Sequence, residues 1–254
     1  MKNVIKIILL SLIFLSSCTE NKKIRFATGP AGTSYYDVGT PMTGLLKDIM
    51  NIDIQVITDS IAIANKVYLP SSINNCYFIT EHAADLAITQ NDISSSQKLT
   101  IDITSLRSVL PLYPTVFFLI YKKEIKPKSL KQLLVGRRVA MGPHDSGTAQ
   151  LAKRLLQEFG VDTTMYIPFY TTFNNNRISD SIDVCCALTG FNNSRISDML
   201  ETGGEIYSFG NYELMGKGSS IDGFCLKFPT YKPFIIPNNF YNDLKLFYHT
   251  NQPL

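Results

Sequence analysis

Apolar positions along this chain change period several times, and each change predicts an element. Ile24 to Thr28 is a short alternating run that ends at Gly29, the pattern of a strand followed by a turn. The next apolar positions, Val38, Met42, Leu45, Leu46 and Ile49, fall on one face of a helix. Ile52 to Ile57 returns to period two and reads as a strand. Ser60 to Val67 reads as a helix that ends before Pro70. Leu86-Ala87-Ile88 is a short buried strand closed by the polar run Thr89-Gln90-Asn91-Asp92. Ser105 to Leu112 and Val116 to Tyr121 read as strands on either side of Pro114.

The series then starts again. Ser129 to Leu134 predicts a brief helix, Arg138 to Met141 a strand, and Gly142 to Thr148 a loop. Ala149 to Phe159 is amphipathic, with Leu151, Leu155, Leu156 and Phe159 on one side and Gly160 as its stop. Ile182 to Leu188 predicts a buried strand, Ser194 to Leu200 a helix, and Phe224 to Phe228 a late strand. Asn174 to Asn176 and Gly216 to Ser220 read as loops. Strands alternating with helices imply a mainly parallel α/β sheet. Two such series, parted near Tyr113-Pro114, imply two lobes, residues 24–114 and 115–229.

The first seventeen residues follow a different logic. A cationic start with Lys2 and Lys6 precedes an apolar run from Ile7 to Leu15 and two serines. That run is short of the ~20 apolar residues a membrane span needs, and suits the core of a signal peptide over residues 1–17. Leu15-Ser16-Ser17-Cys18 resembles a bacterial lipobox, in which Cys18 becomes the lipidated first residue of the mature chain. Residues 18–23 then form a polar tether, and the protein is expected outside the cytoplasm, held to a membrane by lipid.

Composition narrows the class of function. The chain is 45% hydrophobic and 18% charged, which excludes a disordered segment. The formal net charge is +3, and Lys2 and Lys6 leave with the leader, so the folded part is close to neutral. No Lys/Arg run exceeds two residues, and a nucleic-acid partner is not expected. Of the five cysteines, Cys76, Cys185, Cys186 and Cys225 lack CxxC spacing and neighbouring histidines, so no zinc site is predicted. They read as small core residues, with a Cys76–Cys225 disulfide as the alternative.

Two loops carry the candidate chemistry. Thr28-Gly29-Pro30-Ala31-Gly32-Thr33-Ser34-Tyr35-Tyr36 and Gly142 to Thr148 each connect a strand to a helix. Unpaired N–H groups and the positive dipole end at a helix start favour an anion, and Thr33, Ser34, Ser146 and Thr148 add uncharged hydroxyls. Ser and Thr cap helices everywhere, so it is the pair, one loop per lobe, that points to a cleft. His144 beside Asp145 and Ser146 does not make a hydrolase triad, because triads assemble from spatial neighbours. Arg107, just before a strand, reads as a structural charge, and Glu81-His82 as a solvated turn.

The run Ala27 to Gly39, ATGPAGTSYYDVG, resembles the signature of TAXI proteins, the solute receptors of one class of tripartite (TRAP-type) transporters. Asp85 to Asp92, Leu106-Arg107 with Leu112-Tyr113-Pro114, and Arg137 to Pro143 with Ser146-Gly147-Thr148 are similar to further segments of that family, in the same order. The resemblance implies a type II periplasmic-binding-protein fold, α/β, with two lobes, a ligand cleft and crossing strands between them. It implies capture of a small organic anion, glutamate-like or dicarboxylate, by hinge closure and delivery to a TRAP-type membrane permease, with no covalent chemistry and no cofactor. It implies that Thr28, Gly29, Gly32, Thr33, Ser34 and Tyr35 form one wall, Gln90 and Asp92 the floor, and Tyr113 the crossing. Ser146, Gly147 and Thr148 would receive a carboxylate from the other wall. Pro30-Ala31, His144-Asp145 and Phe191-Asn192-Asn193 depart from the family pattern. Residues 230–254 are expected to return towards the first lobe and to stop short of the family's usual end. Ligand sensing without transport, and an extracytoplasmic enzyme on the same fold, are the competing readings. Cys18→Ser is expected to move the protein from the membrane to the soluble fraction, read by detergent-phase partitioning.

Overall fold

The computed structural model describes residues 23–95, 102–144, 146–171, 175–209, 221–237 and 240–241. The leader, Cys18 and most of the tether, together with Asp145, Asn174, Gly216 to Ser220 and residues 242–254, lie outside them. Within the described residues no helix is long and apolar enough to cross a membrane.

The first lobe is built on three parallel strands. β1 (Ile24–Ala27) pairs with β2 (Ile54–Ile57) on one side and β5 (Leu86–Ala87) on the other. Between them run α1 (Ser34–Met50), a hairpin of β3 (Ile61–Ile63) and β4 (Lys66–Tyr68), and α2 (Ser72–Thr80). Its core is small: Ala27, Phe78 and Ala84 are buried with Ile57, Ile61 and Tyr68 against them. Three strands are too narrow to cover all of α1, whose end leaves Leu45, Ile49 and Met50 exposed.

The second lobe has five strands in the order β10 (Gly204–Ile206), β6 (Val116–Lys122), β9 (Val184–Thr189), β7 (Arg138–Gly142), β8 (Ile167–Tyr170). β7 is parallel to β8 and β9, while β6 runs antiparallel to β9 and β10. α3 (Leu130–Leu134) and α4 (Gly147–Glu158) pack on one face with Leu133, Leu134, Val139, Met141 and Leu156 fully buried. α5 (Ser194–Glu201) and Tyr241 cover the other face through Ile196, Met199 and Phe118, and α6 (Ile221–Lys227) lies on α4. The described part of the chain after residue 230 packs on this lobe and reaches the first through Tyr231.

The two lobes share one plan. β1 is flanked by β2 and β5, and β7 by β8 and β9, each a parallel trio in the spatial order 2-1-3. In each, an arginine at the start of the first strand forks onto the aspartate that precedes the third. Arg25 donates from N, Nε and Nη2 to Asp85 at 2.8, 3.1 and 3.0 Å. Arg138 donates from the same three groups to Asp183 at 3.0, 3.0 and 2.8 Å. This is the two-lobed α/β arrangement expected, and β1, β2, β5 and β6 lie where strands are expected.

Several elements differ from the reading by periodicity, β8 and β10, which it does not predict, among them. Ser60 to Val67 is a hairpin, not a helix: Ala64 and Asn65 take φ of 48° and 65°, the conformation of a two-residue turn between strands. Ser105 to Leu112 has no strand partner; after a 3-10 turn at Ile103–Ser105 the chain is irregular, and Pro111 and Pro114 cannot donate to a ladder. The crossing between lobes is therefore a non-strand segment that leads into β6. Phe224 to Phe228 lies mainly in α6, where Ile221, Phe224 and Phe228 form a helical stripe against Leu151 and Leu155. α2, which alternates poorly, went unread. All four cysteines 76, 185, 186 and 225 are free thiols, so Cys76 and Cys225 are not bridged.

Asp183 is held well below the usual carboxylate range, first by the Arg138 hydrogen bonds and then by the nearby charges of Arg138 and Lys122. A lowered folded value means that its contribution is complete above the unfolded value near pH ~4 and is lost as pH falls from there. Asp183→Asn is expected to cost about 1.5–3 kcal/mol at pH 7 and to flatten the acid limb of stability, measured by urea unfolding across pH.

Candidate functional site

Both candidate loops are built the same way from the strand end upward. In the first lobe the chain leaves β1 through Gly29-Pro30, and the Thr33 hydroxyl donates to Pro30 O at 2.8 Å while accepting from Tyr36 N at 3.3 Å. In the second it leaves β7 through Gly142-Pro143, and the Ser146 hydroxyl donates to Pro143 O at 2.7 Å while accepting from Ala149 N at 3.2 Å. One hydroxyl thus closes the turn and caps the helix. Gly32 (φ 80°) and Gly142 (φ 74°) supply the left-handed residues these turns require. An asparagine stitches each loop to its sheet, Asn75 fully buried and Asn176 half-buried. Asn75 donates to Thr28 O and Ile88 O at 2.6 and 2.8 Å, and Asn176 donates to Cys186 O at 2.7 Å while accepting from Gly142 N at 3.1 Å.

Each loop meets the opposite lobe along a seam. Ser34 Oγ and Thr189 Oγ1 share a hydrogen bond of 3.0 Å across it. Gln90 packs on Gly147 so closely that a Cβ there would lie 2.6 Å from the amide carbon, and its buried Oε1 has no hydrogen-bond partner. Arg154 and Asp92 are joined through the hydroxyl of Tyr231. A crevice between the lobes is lined by Ser72, Gln90, Asp92, Gly147, Gln150 and Arg154 and encloses about 10 Å³, room for about one water.

Electrostatics at the seam carries both signs. The half-buried Arg195 guanidinium has its pKa lowered by burial, partly countered by Asp37 across the seam and by Asp198. Burial pushes the Tyr35 hydroxyl well up, although its 2.7 Å hydrogen bond with Ser72 acts the other way. Burial likewise pushes Tyr113 up to about 12, offset in part by Ser34. Both hydroxyls are neutral at physiological pH, and that of Tyr35 is held by Ser72.

The residues predicted from sequence divide into two sets. Ser34, Gln90, Asp92 and Gly147 meet at the seam, with Tyr35 and Tyr113 beside it. Gly29, Gly32, Thr33 and Ser146 shape the turns, and Thr148 stands in the first turn of α4 against Gly142. Thr28 is fully buried beneath Gly39 of α1, and so supports the wall without forming its surface. Arg107 is exposed and donates to Thr104 O and Leu106 O. His144 is exposed with its ring 4.6 Å from that of Tyr170. Among the described residues no group of three or more His, Cys, Asp or Glu could hold a metal ion. Sequence reasoning missed Ser72, Gln150, Arg154, Thr189, Arg195 and Tyr231. Gln150 and Arg154 carried a readable signal, since with Gly147 they follow i, i+3, i+7 on the polar side of α4. The others belong to elements that only the fold brings to the seam.

The profile of the NMT1-like family matches residues 26–250. Solved structures to which this chain is similar include the alkanesulfonate-binding protein SsuA from Xanthomonas axonopodis pv. citri bound to MOPS, at 15% identity and a TM-score of 0.46, over 82% of this chain and 68% of that one. The periplasmic aliphatic sulphonate binding protein SsuA from Escherichia coli is 16% identical, TM-score 0.43, over 72% and 56%. A binding protein component of an ABC phosphonate transporter from Pseudomonas aeruginosa is 11% identical, TM-score 0.44, over 72% and 63%. The chain thus spans from about half to two thirds of the length of these proteins. No curated protein matches the sequence.

The Gly147–Gln90 contact makes a local prediction. Gly147→Ala adds a methyl that the Gln90 amide must vacate, at a helical position where Ala itself is favourable. Backbone hydrogen exchange at the start of α4 is expected to rise without a fall in melting temperature. Adding Gln90→Ala, which makes room for the methyl, is expected to bring exchange back towards the parent level.

Proposed function

We propose, from the premise that this chain belongs to the NMT1-like family, that it is an extracytoplasmic solute-binding protein. It captures a small organic anion, an amino-acid-like or dicarboxylate compound, between two lobes and hands it to a membrane permease. The TAXI-like run at Ala27 to Gly39 makes a TRAP-type permease the proposed partner, and Cys18 the proposed lipid anchor.

One observation carries this reading. Two strand-to-helix loops of the same construction, one per lobe, each reach the opposite lobe, Ser34 bonding Thr189 and Gly147 packing on Gln90 in a crevice that also holds Arg154. Each offers a helix start, and both hydroxyls are already committed to capping, so backbone N–H groups are the free donors. An anion touching both lobes favours the closed state by the difference between its contacts in the closed and open forms. Gln90 and Gly147, in contact across the seam, are placed to report that closure.

A thermal-shift screen tests the reading with glutamate, 2-oxoglutarate, succinate and an alkanesulfonate. A matching acid at 100 times its dissociation constant is expected to add about 2.7 kcal/mol of stability. Arg154→Ala is expected to weaken that acid about 10–100-fold by removing a charge-assisted hydrogen bond. If no acid in a broad panel raises the melting temperature of the folded protein, the reading fails.

A further inference from the structure

Tyr231 belongs to neither sheet. Its ring rests on the second lobe, 5.4 Å from the ring of Phe224 and in one apolar cluster with Leu151 and Leu155 of α4. Its hydroxyl points the other way, donating to Asp92 Oδ2 at 2.5 Å in the first lobe. Arg154 Nη1 of α4 donates to the same hydroxyl oxygen at 3.0 Å. The two bonds run in one direction, guanidinium to hydroxyl to carboxylate, so the cation makes the hydroxyl a stronger donor to the anion. A ring anchored on one lobe and a hydrogen bond made to the other form a clasp that exists only when the lobes are closed.

The acceptor in this clasp is a carboxylate, lying in the crevice where the proposed solute would sit. We infer that Asp92 is an internal stand-in for the ligand's carboxylate: it occupies the Arg154–Tyr231 donor pair and holds the lobes shut until a solute carboxylate takes its place. The inference rests on the reading of the crevice as the solute site. It explains how a closed crevice of about 10 Å³ becomes a binding site, because the group that must leave is part of the wall. It also sets the ligand's chemistry. A neutral solute cannot replace the carboxylate on a charged donor pair, whereas a carboxylic acid can. The clasp lowers apparent affinity by the fraction of molecules that it keeps closed.

Small-angle X-ray scattering on the full chain, without any solute, tests the clasp. Tyr231→Phe removes only the hydroxyl and keeps the ring; Asp92→Ala removes the acceptor. Each is expected to increase the radius of gyration, and the double variant no further than either, since both break the same bond. Glu158→Gln, which removes an exposed ion pair with Lys227 on the outer side of α4, is expected to leave it unchanged. Sodium acetate is the probe for the vacated place. In Asp92→Ala it is expected to return the radius of gyration to the parent value, where sodium chloride of equal ionic strength does not, and it is expected to leave Tyr231→Phe open. Circular dichroism establishes that each variant is folded. A parent protein already as extended as its variants, unchanged dimensions in both variants, or no reclosure of Asp92→Ala by acetate would overturn the inference. None of these readouts uses the natural solute, so they fail or succeed independently of the thermal-shift screen.

Discussion

Arg25 and Arg138 each lay a guanidinium and a backbone N–H against the carboxylate that precedes the neighbouring parallel strand. Because the fork uses backbone and side chain together, it sets register as well as proximity: Phe26 faces Leu86, and Val139 faces Val184. Register decides where strands end, and strand ends decide where the loops stand. A slip of one residue would turn every side chain of the strand to the other face and carry the Gly-Pro turn with it. The geometry of the seam therefore begins at the opposite end of both sheets, with two ion pairs.

From those strand ends the molecule builds the same device twice. Gly-Pro ends the strand, a hydroxyl three residues after the proline closes the turn and caps the helix, and an asparagine ties the turn to the third strand of the trio. The repetition has a consequence for chemistry. Hydroxyls that looked available for a ligand, Thr33 and Ser146, are spent on structure, and the groups left to meet across the seam are Ser34, Gln90, Asp92, Gly147 and Arg154. What differs between the lobes is the size of the core. The second lobe buries two large clusters on a five-stranded sheet, and the first buries one small cluster on three strands.

Legibility followed the strength of local signals. Strands with buried neighbours on both sides, such as Val116–Lys122 and Val184–Thr189, announce themselves as apolar runs, and α4 does so as a clean amphipathic stripe. The hairpin at Ile61–Tyr68 was hidden because Ala64-Asn65 is a weak turn signal and the residues around it suit either period. The aromatic run of α6 looked like a strand because its phenylalanines are β-formers; contact with Leu151 and Leu155 made it a helix. At the site, the Gly-Pro turns and the polar face of α4 were written in the chain. Tyr231 was not, since nothing around it predicts that it would reach a carboxylate 139 residues away.

The sequence by itself determined the α/β class, the division into two lobes and the two strand-to-helix loops, because periodicity, glycine and helix caps act over a few residues. Tertiary structure alone decided which polar groups remain free to act. Hydrogen bonds within a lobe consume the hydroxyls of Thr33 and Ser146, and packing between lobes brings Gln90 onto Gly147 and Tyr231 onto Asp92. Availability is a property of all the neighbours of a group at once, and those neighbours come from strands and helices that the chain order keeps far apart.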